Sequence, residues 1–88
     1  MDNLEKDIDL SLDELKRTQR RLEKIITRKE NALSFLERAS DNCWENPNAD
    51  EKYEYYLNKM GVVEESIDKL TEMKENLEKI IIQLKSLK

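Results

Sequence analysis

Few residues in this sequence could do chemistry, and their spacing decides of what kind. The densest set lies between positions 16 and 29, where Lys16, Arg17, Arg20, Arg21, Lys24, Arg28 and Lys29 face a single acid, Glu23. On a helix, Arg17, Arg20, Arg21, Lys24 and Arg28 form one outward stripe, and such a stripe can follow a nucleic-acid backbone. The matching stretch of the second half holds Glu64, Glu65, Asp68, Glu72 and Glu75, and the whole chain carries a net charge of −4. That local balance ranks RNA or DNA behind protein as a partner. Adjacent carboxylates such as Glu64 and Glu65 fall on an exposed face, with no pocket to change their acidity. There is no histidine, Cys43 is the only cysteine, and the single glycine, Gly61, makes no phosphate-binding loop. Nucleophilic triads and zinc sites therefore lack their usual groups. The expectation is a non-enzyme with no cofactor, no metal and no small-molecule substrate.

What the sequence does specify is a scaffold. Apolar residues recur every seven positions in both halves. In the first half Leu12, Gln19, Ile26 and Leu33 take heptad position a, and Ile8, Leu15, Leu22, Lys29 and Leu36 take position d. In the second half Met60, Ile67, Lys74 and Ile81 are a, while Tyr56, Val63, Leu70, Leu77 and Leu84 are d. Spacing of this kind, sustained this long, marks packed helices. When the chain folds back so that paired residue numbers sum to 92 or 93, every a meets an a and every d meets a d. The layers run from Leu36/Tyr56 through Leu33/Met60, Lys29/Val63, Ile26/Ile67, Leu22/Leu70, Gln19/Lys74, Leu15/Leu77 and Leu12/Ile81 to Ile8/Leu84. Gln19 and Lys74 share a layer, so the amide oxygen can accept from the ammonium; such a layer lowers stability but penalises slipped registers. At position e, Asp9 falls beside Lys85 and Lys16 beside Glu78, while Glu30 meets Glu64. Lys29 can pack its stem and send its ammonium to water.

The predicted fold is thus all-α: one domain, residues 1–88, forming an antiparallel two-helix coiled-coil hairpin. Helix 1 should cover about 3–43, the turn 44–48 and helix 2 about 49–87. Asp2 and Asn3 are good caps for the first helix, and Glu5 and Asp7 suit its positive end. Asn46 precedes Pro47 and is steered out of helical angles. Asn48 can then cap the second helix, with Glu51 as its return partner. Gly61 sits at an outward b position of helix 2; a glycine there is either tolerated, kinked, or approached by another backbone. Trp44, Tyr53, Tyr55 and Tyr56 gather near the turn, where they close the hairpin's mouth, with Trp44 and Tyr55 as an alternative aromatic hot spot for a partner.

The two edges of this hairpin differ. Position g holds Leu4, Ser11, Thr18, Ile25, Ala32 and Ala39 in helix 1, and Ser66, Met73, Ile80 and Leu87 in helix 2. Position e is mostly charged: Lys16, Glu23, Glu30, Glu37, Glu64, Glu78 and Lys85. In an antiparallel pair g faces g and e faces e, so one flank is apolar and the other charged. A stripe of a, d and g belongs to a bundle of more than two helices. The chain is 38% apolar and 41% charged, a composition of long helices, and a lone hairpin buries only a thin seam. The expected function is therefore that of a small adaptor, co-chaperone or assembly subunit binding protein through its a/d/g face, with homodimerisation into a four-helix bundle as the leading case. The residues expected to meet the partner are Leu4, Thr18, Ile25, Ala32, Met73, Ile80 and Leu87, joined by Trp44 and Tyr55 near the turn. A dimer gripping RNA or DNA through the basic stripe of helix 1 is the alternative.

No apolar run reaches transmembrane length, and Met1-Asp2-Asn3-Leu4 lacks the basic-then-apolar pattern of a signal peptide. A single cysteine gives no intrachain disulfide. A cytoplasmic location is the simplest expectation, with signal-independent secretion as the other route. Trp44-Glu45-Asn46 resembles the Trp-x-Gly turn of the WXG100 proteins, helical hairpins of similar length that dimerise and leave through a type VII system. Asn46 stands where those proteins have glycine, and Leu84 to Lys88 does not carry their Tyr-x-x-x-Asp/Glu export signal. The Asn46-Pro47-Asn48 turn is also similar in style to that of type III secretion needle subunits and their small helical co-chaperones. Either resemblance implies a secretion-associated hairpin.

Overall fold

In the computed structural model, residues 2–44 and 50–88 are described. Two helices account for nearly all of them: α1, Asp2–Trp44, and α2, Asp50–Lys85. They pack side by side along their lengths as an antiparallel hairpin, giving a rod of 71 × 14 × 13 Å. The long dimension agrees with 43 residues in α1 at about 1.5 Å each, or roughly 64 Å. Both helices end within two residues of the sequence expectation. Trp44 belongs to α1 rather than to the turn, and α2 stops at Lys85 instead of reaching 87. Leu87 donates its N–H to the Leu84 carbonyl and Lys88 to that of Lys85, both at 3.2 Å, a tightened last turn that satisfies carbonyls left over at a helix end. Asp50 and Glu51 lie in the first turn of α2 and Lys85 in its last, each at the end of the helix dipole that favours its charge. The proposed caps and turn at Asn46, Pro47 and Asn48 fall outside the described residues.

The buried residues follow the heptad positions. Ile8, Leu12, Ile26 and Ile81 form the buried apolar core, and the other seam residues are half-buried. Ile8, Leu12 and Ile81 cluster with Leu15, Leu77 and Leu84, which joins three consecutive layers of the sequence register at the open end of the hairpin. Ser40 continues the seam near the turn, buried, with its hydroxyl donating to the Glu37 carbonyl at 2.8 Å. Its register partner Tyr53 is half-buried.

Two details of the polar pattern differ from the sequence expectation. The Lys74 ammonium does not turn to Gln19: it reaches Glu23 Oε1 at 3.2 Å. Asp9 pairs with Lys88, not Lys85. Among the described residues these are the ion pairs that join the two halves of the chain, and both run from an a position of the second half to position e of α1. A long lysine stem leaves the seam and carries its charge to the acidic edge, where a carboxylate attracts it more strongly than a neutral amide does. Gly61 lies within an unbroken α2, without positive φ, and a Cβ built on it meets nothing within 4 Å. Neither a backbone strain nor a close neighbour requires glycine there.

Candidate interaction surface

The apolar flank is left open. Its large g residues are exposed, from 39% for Ile25 to 70% for Leu87, with Leu4, Met73 and Ile80 between. Of the eleven exposed large hydrophobics, eight lie at g or at the neighbouring position c, and only Leu10, Leu57 and Ile82 lie elsewhere. Three of the eight, Phe35, Val62 and Tyr55, occupy c and widen the flank towards the turn. Tyr55 was expected from its aromatic neighbours. Phe35 and Val62 were missed, although a c residue next to an apolar g residue extends the same stripe and could have been found by that rule.

Towards the turn the flank has relief. Tyr55, Asn58, Lys59 and Val62 line one open depression, and Val62, Glu65, Ser66 and Lys69 line the next, so a shallow trough follows α2. Tyr55 meets Tyr56 edge to face, with centroids 5.8 Å apart, and Lys59 Nζ lies 5.6 Å from the Tyr55 centroid. These contacts hold the Tyr55 ring in place while it remains exposed. Thr18 lies on the flank with its hydroxyl turned to the Glu14 carbonyl at 3.0 Å, so it offers a partner mainly its methyl group. Ala32 is exposed on the same flank. Trp44 is the last residue of α1; its side chain lies outside the described residues.

The two flanks also differ in charge. Among the described residues, positions g and c carry Asp7, Glu14, Arg21, Arg28, Lys52, Lys59 and Lys69, five bases against two acids. The e and b edge is strongly acidic, with Lys74 and Lys88 reaching towards it from the seam.

Arg17, Arg20, Arg21, Lys24 and Arg28 are all exposed on α1. Arg20, Lys24 and Arg28 line an open depression with Thr27 and Glu23, so an acid sits among the bases. Among the described residues no group of three or more cysteines and carboxylates is placed to hold a metal ion. No helix among them is long and apolar enough to cross a membrane. The chain matches no protein-family model, and neither a curated protein nor a solved structure matches it.

Proposed function

We propose that this chain is a protein interaction or assembly module, and that its g flank docks on a second copy to complete a four-helix bundle. The observation that carries this reading is the concentration of exposed large hydrophobics on one flank. An exposed apolar stripe of this kind marks an interaction site, and among the described residues the hairpin's own seam buries four apolar side chains, none of them completely. A second hairpin would convert half-exposed side chains on both copies into core. Sedimentation equilibrium across a wide concentration range tests the reading. A reversible dimer that dissociates in Ile80→Glu supports it, and a monomer at every concentration rejects self-association.

Nucleic-acid binding is the second reading, favoured by the convergence of Arg20, Lys24 and Arg28 on one depression. Fluorescence anisotropy with an RNA duplex would support it only if binding survives at physiological salt, where nonspecific phosphate contacts weaken steeply.

A further inference from the structure

The proposed dimer has two symmetric forms, and the flank's side chains distinguish them. We propose that the two hairpins dock end over end, α1 on α1 and α2 on α2, about a two-fold axis level with the Leu22/Leu70 layer. This inference rests on the self-association reading above. Turned about that axis, the flank meets its own pattern. Along the second half of the chain, Leu87 lies over Tyr55 of the second copy and Ile80 over Val62, so two exposed apolar residues of the open end cover two near the turn. On α1, Leu4 lies over Ala39 and Thr18 over Ile25, setting a larger side chain against a smaller one.

Charge then selects between the forms. In the end-over-end form, Glu14 lies over Arg28 of the second copy, and symmetry repeats the pair. Arg21 meets its own copy once, at the axis, where the exposed side chain can splay into solvent. In the other form both turns lie at one end and α1 rests on α2 at equal height. Arg21 then faces Lys69 twice, and Glu14 finds only the neutral Asn76. Opposite charges across a helix interface fix orientation, and like charges exclude the alternative. An isologous interface needs a patch that complements itself, and the charged pairs of this flank do so end over end.

The test places a nitroxide at Ser86→Cys in a Cys43→Ser chain. Ser86 lies on the outer face at the open end, so the label does not enter the interface. Pulsed electron–electron resonance should give a separation of about 45 Å or more, since the two labels would sit about 30 residues apart along the rod. A separation within about 30 Å, two to three helix diameters, would overturn the orientation and leave the dimer standing. Absence of any dipolar signal together with a monomeric mass would overturn the self-association reading itself. Charge exchange gives an independent readout on exposed residues. Glu14→Arg and Arg28→Glu should each raise the dimer Kd about three- to tenfold, and the double variant should restore it. Two singles without effect would overturn the pairing, provided circular dichroism shows intact helix.

Discussion

At the scale of single residues, lysines at seam positions decide how the hairpin treats charge. Lys74 occupies a core position but delivers its ammonium to Glu23, whose side chain is half exposed. A pair this open to water contributes little, so Glu23→Gln should change stability by less than about 0.5 kcal/mol in urea unfolding. Lys74→Met should do more, because it replaces a snorkelling cation by an apolar side chain beside Leu70 and Leu77. A gain of about 1 kcal/mol is expected, seen as a higher urea midpoint. The sequence set Lys74 in a layer with Gln19, whereas the structure carries its ammonium to Glu23. The register fixes a Cα position, whereas a four-carbon stem with free rotations reaches a full turn along the partner helix. The same reach sends Lys88 to Asp9. The two-helix hairpin was thus legible from spacing, and the ends of long side chains were not.

At the scale of the element, α2 carries a defect that the fold does not need. Gly61 points into open space in an ordinary helical conformation, so its cost is the backbone entropy of glycine alone. Gly61→Ala should stabilise the hairpin by about 0.5–1 kcal/mol, a rise in melting temperature of several degrees by circular dichroism. A loss of stability would mean that another backbone approaches this position in the assembled state. The seam itself responds in the opposite sense. Ile81 is buried against Ile8 and Leu12, and Ile81→Ala should lower stability by about 2–5 kcal/mol, enough to unfold much of the chain at room temperature. These core positions were readable because apolar residues repeated every seven positions fall on one side of each helix, in whatever register the pair meets. The candidate surface was only partly readable. The g stripe stands out beside a charged e edge, whereas Phe35 and Val62 look like isolated surface residues until the helices are set side by side and the c positions join the flank.

At the scale of the whole molecule, the rod's two long edges prescribe opposite solution behaviour. The g and c flank should associate through apolar contact, and association should strengthen with temperature near ambient conditions and tolerate salt. Met73→Glu should abolish the dimer in sedimentation while leaving the helix content of the dissociated chains detectable by circular dichroism. The acidic edge should keep the assembled particles apart, so that mass stays at two chains when concentration rises further. Growth into larger species would instead point to a second adhesive surface, formed by Leu10, Leu57 or Ile82.

Three of the four buried apolar residues, Ile8, Leu12 and Ile81, lie towards the end of the rod away from the turn. Loop closure favours contacts between residues near in sequence, so the hairpin should close from the turn outward and reach these layers last. The tightest contacts would then be absent from the folding transition state. Stopped-flow kinetics should find that Ile81→Ala accelerates unfolding and leaves the folding rate nearly unchanged, whereas Leu36→Ala slows folding. The rod would open at this end only over a high barrier, a latch set at the far end of a zipper.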